Sequence, residues 1–271
     1  MIRHPDTPLA PAARAGLQSF QSEIDGLPDY AARVDAAKER FPKRNTASNA
    51  TFREVRKTLA RMCSGARRCM YCEDSVADEV EHVRPKDLYP EAVFVWGNFL
   101  YACGPCNGGK RNKFVVLVPP ANVIDVTRQQ GSPVVPPVAG TPMFIDPRTE
   151  DGLFYMQLDL TGTFRFVPTS ALNTGDYARA EHTIRILKLN DRDYLVAARK
   201  EAYGSYVARL DQYATWSEAG KTPVQLTRLR NSLFRMGHPT VWAEMKRQHR
   251  RLKQLRSLFE RIPEALTWRV P

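Results

Sequence analysis

No stretch of the 271 residues approaches the ~20 consecutive apolar residues that a membrane-spanning helix requires. One of the longest apolar runs, Phe114 to Val118, stops at Pro119-Pro120. The opening residues Met1-Ile2-Arg3-His4 lead into no apolar stretch, so no secretory signal and no membrane partner are expected, and the expected compartment is the cytoplasm. Cysteine is scarce too. Five in a chain of this length do not make a disulfide scaffold, and their spacing matters more than their number. No internal repeat is visible. Acidic residues fall short of basic ones, 29 against 40, which leaves a formal net charge of +11. That excess points to polyanions, nucleic acid before an acidic membrane surface. The rest is ordinary globular composition, 43% hydrophobic and 25% charged, in a chain long enough for one or two domains with a sizeable core.

Along the chain, residues 1–12 are Pro-rich and read as irregular. Leu17, Phe20, Ile24 and Leu27 then recur at helical steps until Pro28, and Tyr30, Val34, Ala37 and Phe41 continue in a second helix that should end at Pro42. A third helix, from about Ala50, carries Phe52, Val55, Leu59 and Met62 on one face. Arg53, Arg56, Lys57 and Arg61 lie on the other, as a solvated or a phosphate-facing surface. Residues 119–147 hold seven prolines and no periodicity, the pattern of a long loop, and residues 153–167 alternate as a hairpin about Thr161-Gly162. The last hundred residues are helical in pattern. Thr222-Pro223-Val224-Gln225 has the form of a capping box with proline at the first helical position. A single final helix is expected from about Thr240 to Arg261, with Lys246, Arg247, Arg250, Arg251, Lys253, Arg256 and Arg261 along it. The predicted organisation is mainly α with a small α+β insert. A helical segment spans residues 1–68, a cysteine-bearing module 69–118, a Pro-rich loop and hairpin 119–170, and a basic helical region 171–271.

The chemistry concentrates in the module. Cys69-x2-Cys72 and Cys103-x2-Cys106 are matched pairs separated by 30 residues. A two-residue spacer turns both thiolates of a pair toward one ion, and two pairs complete a tetrahedron, so one structural zinc per chain is expected. Four unligated buried cysteines leave the matched spacing unexplained, and a redox pair needs only one of the two motifs. Cys63 has no partner at that spacing and reads as a core residue. A closed four-thiolate site has no open position for a substrate, so any reaction must come from the residues it holds in place. Between the pairs lies Glu81-His82-Val83-Arg84-Pro85-Lys86, with Glu79 to Val83 as a candidate strand. Neighbours on a strand face opposite ways, so Glu81 and His82 share a site only at a twisted strand end. Asn98 precedes a second apolar strand, Phe99 to Ala102, which leads into Cys103 and then to Asn107-Gly108-Gly109-Lys110, the expected start of a helix.

This order of Cys-x2-Cys, Glu-His, Asn and Cys-x2-Cys-Asn-x2-Lys resembles the zinc-containing HNH endonucleases. It is most similar to the HNH subunit of Septu-type anti-phage defence systems. The likeness extends through Cys69 to Glu73, Tyr89-Pro90, Trp96-x-Asn98, Phe144 to Pro147 and Leu187 to Asn190, and covers roughly residues 15–210. It implies a ββα-metal module in which His82 is the general base and Asn98 pins the loop that orients it. Glu81 and Asn107 hold a catalytic Mg2+ or Mn2+, and Lys110, with Arg84 and Lys86, faces the nucleic-acid substrate. It also implies an ATPase subunit as partner, with DNA favoured over RNA. Two positions depart from the broader family pattern: Glu81 stands where many members have Asp, and Asn107 where many have His. Gly108-Gly109 reads as a place where a nucleic-acid backbone approaches the helix. The alternatives are a zinc-ribbon module that only binds nucleic acid or a partner, and a solitary restriction-type nuclease. A binder has no need of Glu81, His82 and Asn107 at this spacing. Glu73 and Asp146 read either as supports of the site or as surface residues, and His4, His182, His238 and His249 carry no assigned chemistry.

Overall fold

The computed structural model describes residues 1–4 and 6–269, and about half of the chain is α-helical. Three helices come first: α1 (Pro11–Asp25), α2 (Tyr30–Arg44) and α3 (Ala50–Met62). The Asp29 and Asn49 side chains cap α2 and α3 by accepting the free amides of Ala32 and Phe52, contacts worth ~1 kcal/mol each. Pro42 does not end α2, because it falls in the last turn, where its missing amide costs one hydrogen bond near an end that frays anyway. Helices α1 and α3 cross closely at Gly16, where an added Cβ would run into the Thr51 hydroxyl. Their apolar faces converge on Phe20, Phe41, Phe52, Phe94 and Phe99, a chain of ring contacts at centroid distances of 5.5 to 6.3 Å.

The module is built on β1 (Glu79–His82) and β2 (Phe99–Ala102), antiparallel with Glu81 opposite Leu100 and His82 opposite Phe99. Helix α4 (Gly104–Lys110) follows, starting three residues before the expected position. Cys103 takes the cap position and Pro105 lies in the first turn, where its lack of an amide costs nothing. Cys106 and Asn107 are therefore both helical, and Gly108-Gly109 lie inside the helix instead of at its start.

The Pro-rich stretch is not all loop. β3 (Val115–Val118) pairs with β4 (Asn122–Asp125) on one side and β5 (Thr141–Pro142) on the other. The prolines hid these strands from the sequence pattern, yet an edge strand tolerates a residue such as Pro142. The next hairpin is shorter than expected. Phe154 lies in a one-turn helix, α5 (Gly152–Tyr155), and Phe164 in the loop with φ +52. The paired residues run from β6 (Met156–Leu158) to β7 (Phe166–Pro168).

Among the described residues, α6 (Thr174–Ile186), α7 (Asp193–Glu218), α8 (Pro223–Phe234), α9 (Pro239–Gln248) and α10 (Lys253–Arg261) follow, and then a 3-10 turn at Pro263–Thr267. The capping box at Thr222 and Gln225 is present. The single final helix is absent and two helices replace it, broken at His249 to Leu252. There the His249 ring bonds the Lys246 carbonyl at 2.7 Å, and the chain redirects so that Leu255, Leu258 and Phe259 are buried. One continuous core includes Leu17, Phe52, Phe99, Leu158, Tyr206 and Trp242, so the four stretches marked out by composition share one interior. Among the described residues no helix is long and apolar enough to cross a membrane.

Candidate active site and cysteine cluster

Cys69 and Cys72 precede β1, and Cys103 and Cys106 bracket the start of α4. All four are buried, and their sulfurs lie within 4.8 Å of one another. Four Zn–S bonds of ~2.3 Å in a tetrahedron place sulfurs ~3.8 Å apart. Cys72 Sγ and Cys103 Sγ are 3.8 Å apart. The donor set and its spacing fit a zinc ion, and among the described residues no other group of His, Cys, Asp or Glu side chains is clustered in this way. Glu73, just after the first pair, adopts φ +63 and turns into the interior. Its carboxylate accepts from Ile2 N at 3.0 Å, Thr240 N at 2.9 Å and Thr240 Oγ1 at 2.6 Å, tying the first knuckle to α9. Glu73 is thus an internal brace. Asp146 caps its own turn, accepting from Arg148 N at 2.9 Å.

Beside the cluster is a cleft of about 810 Å³. One wall is the end of β1 with Lys86 and Asn107; the other is formed by Lys38 and Phe41 of α2 and Arg56 of α3. Glu79, Glu81 and His82 all line it, so the end of β1 does bring two sequence neighbours to one site. His82 is buried. Its Nε2 lies 2.9 Å from the Val93 carbonyl, which can only accept, so the ring carries its proton on Nε2. Nδ1 is left as the lone-pair nitrogen, with no protein partner among the described residues. The ring packs edge-on to Phe41 at 4.3 Å and Phe99 at 5.3 Å. Burial pushes its pKa down to about 3, which keeps the imidazole neutral. Asn98 holds the loop that carries Val93: its amide donates to Arg84 O at 3.0 Å and Ala92 O at 2.9 Å, and its carbonyl accepts from Arg84 N at 2.7 Å.

Lys110 does not face outward. Its ammonium is fully buried, 2.7 Å from Glu81 Oε1 and 2.7 Å from the His82 carbonyl, so the expected phosphate contact is not available to it. Burial pushes the Glu81 carboxyl up, against the pull of this ammonium. Because removing one partner of a buried pair strands the other, Lys110→Met should cost roughly 3–5 kcal/mol of stability in urea unfolding. A change under 1 kcal/mol would show that the pair is not buried in solution. Asn107 donates to Glu79 Oε2 at 2.5 Å, which directs its Oδ1 away from that carboxylate. Of the other expected substrate contacts, Lys86 lies in the cleft with its ammonium 5.5 Å from the Phe41 ring. Arg84 points elsewhere, over Tyr89, into a smaller hollow.

Nothing in the local pattern of Phe41, Lys38 or Glu79 marks them as site residues, and α2 reaches the cleft only through tertiary packing. Arg56, on the face of α3 read as solvated or phosphate-facing, lines it too. The basic faces are less free than their charge suggests. Lys57 and Arg61 approach Glu54, Arg56 bonds Asn45, and Arg247 covers the fully buried Glu244. Arg261 pairs with Asp211 and Glu218.

No protein-family model matches the chain. Over 48 residues it is 48% identical to the Septu protein PtuB of Bacillus thuringiensis. The match covers 16% of this chain and 19% of that protein, so the chain spans about a fifth of the length of the curated relative it matches. Over that stretch the chain is related to a Septu protein.

Proposed function

We propose that the chain is a metal-dependent endonuclease of the HNH type, a ββα module around one structural zinc, acting as the nuclease effector of a Septu-type anti-phage system. The observation that carries this is the His82 ring, proton fixed on Nε2 by the Val93 carbonyl, sharing a cleft with Glu81 and Asn107. The Nδ1 lone pair is open to an attacking water. With the ring pKa pushed down to about 3, the proton would pass to it only from a water that a divalent ion had made more acidic. Asn98 acts by positioning, holding the loop against which the ring is aligned. Glu81 and Asn107 offer oxygen atoms, a donor set that suits Mg2+ or Mn2+ better than zinc. An ion bound by those residues would supply positive charge to offset the negative charge that develops as the phosphodiester is cleaved. The products would carry 5′-phosphate and 3′-hydroxyl ends.

The basic balance of the chain and the cationic Lys38, Lys86 and Arg111 in the cleft favour nucleic acid as substrate, DNA first. The test is incubation of the purified chain with plasmid and with tRNA, with and without Mg2+ or Mn2+. Metal-dependent cleavage of either supports the proposal. Tight binding with no cleavage under any divalent ion, with or without partner, favours a zinc-ribbon binder.

The likeness to a Septu protein extends the proposal to an ATPase subunit as partner. Cleavage by the chain alone should be slow and should rise when the neighbouring ATPase is added. Full turnover without it, unchanged by its addition, would instead favour a solitary nuclease.

A further inference from the structure

The turn between α6 and α7 carries a guanidinium that neither the cleft nor the basic surface accounts for. Arg192 is half-buried, and its Nη2 lies 3.3 Å from Cys106 Sγ and 2.8 Å from the Leu187 carbonyl. Its Nε reaches the Lys188 carbonyl at 3.2 Å, and its Nη1 the Tyr194 hydroxyl at 3.3 Å. Apart from the cysteines themselves, it is the one side chain among the described residues that hydrogen-bonds a sulfur of the cluster. A second contact lies one turn along α4. An added Cβ at Gly109 would come within 3.2 Å of the Ile186 carbonyl, the last residue of α6. Positions three apart share a helix face. Cys106 and Gly109 therefore put one face of α4 against the end of α6 and the turn that follows. This gives Gly109 a structural reason within the fold, whereas Gly108 has nothing within 4 Å of an added Cβ.

We infer that Arg192 is a positioning residue of the zinc site, holding the Cys106 thiolate from outside the coordination sphere and fastening the C-terminal helices to α4. The inference rests on the four cysteines binding zinc. Four thiolates around one Zn2+ leave a net charge of about −2 in a buried place. A guanidinium donating to one sulfur offsets part of that charge and fixes the orientation of the ligand. The fork geometry of arginine lets the same group bond the Leu187 and Lys188 carbonyls just beyond the end of α6. Zinc then does more than fold the module, because the site it completes is also the joint to residues 193–269. The ordinary alternative is that Arg192 only caps the turn. A capping role speeds zinc loss only as far as it lowers the stability of the fold, whereas a hold on the thiolate speeds it beyond that.

The experiment uses the full chain purified without chelators, after its zinc content is measured. Zinc release to excess chelator, followed with a colorimetric indicator, is compared for the parent, Arg192→Ala and Arg192→Lys, alongside their unfolding midpoints. Release should be ~10-fold faster or more in Arg192→Ala, the scale on which outer-shell partners act, with Arg192→Lys between the two. If Arg192→Ala does not fold, Arg192→Lys carries the test, since it keeps the charge but not the fork. Parental release rates in every folded variant, or faster release fully matched by the drop in unfolding midpoint, would overturn the inference and leave a plain turn cap. A parent chain that folds without zinc would fail earlier, at the four-thiolate site itself, and would remove the inference with it.

Discussion

His82→Ala should fold, keep its zinc and bind nucleic acid, yet cleave ~10²–10⁴-fold more slowly than the parent, the loss typical of removing a general base. The substitution touches no cysteine, and it leaves the buried Val93 carbonyl without its partner. It is not silent structurally. The ring is 5% exposed and packs edge-on to Phe41 and Phe99, so roughly 1–3 kcal/mol of stability should go with it. His82→Asn keeps a donor for Val93 and fills part of the space, which separates the chemical loss from the packing loss. Single-turnover cleavage and an unfolding curve for both variants make the distinction. Parental cleavage by both, under several divalent ions, would remove His82 from the reaction and favour a module that only binds.

What could be foreseen here followed from local rules. The two Cys-x2-Cys pairs announce a four-sulfur cluster because the spacer itself sets the geometry. Phe52, Val55 and Leu59 announce α3 because a helix face repeats at that step, and the burial of all three agrees. The residues that were missed act through distance. Phe41 supports the ring of His82 from a helix 41 positions away, and no periodicity encodes that contact. The resemblance alone puts Lys110 at a phosphate; lysine is almost never fully buried unless paired, and the partner that buries this one, Glu81, lies 29 residues back. Arg192 sits in a stretch rich in charge, where one more arginine reads as solvated. The strands among the prolines and the break after Gln248 went unseen for a related reason. Short elements depend on what packs against them more than on their own propensity.

The same distinction between local code and tertiary placement sets the outcome expected at Cys103. It caps the short helix α4, on which Asn107 lies four residues further along, yet their removal should act on different properties. Cys103→Ala takes one of four sulfurs from a cluster whose zinc would contribute folding free energy directly, ~10–16 kcal/mol in small zinc-dependent domains. Its neighbours Phe99, Leu100 and Ala102 are buried, and β2 leads straight into it, so losing the cluster exposes the centre of the module. The variant should purify with less than half the zinc of the parent, in poor yield, and with a lowered or broadened unfolding transition. Asn107 is half-buried at the cleft, and its amide makes one contact, to Glu79. Asn107→Ala should keep zinc and fold, and should need more Mg2+ or Mn2+ for whatever cleavage remains, because an oxygen donor is gone. Zinc content by elemental analysis, an unfolding curve and a divalent-ion titration of cleavage measure the three effects separately. If Cys103→Ala retains a full equivalent of zinc and the parent's unfolding midpoint, the four sulfurs do not bind as a set, and the cysteine pairs need another explanation.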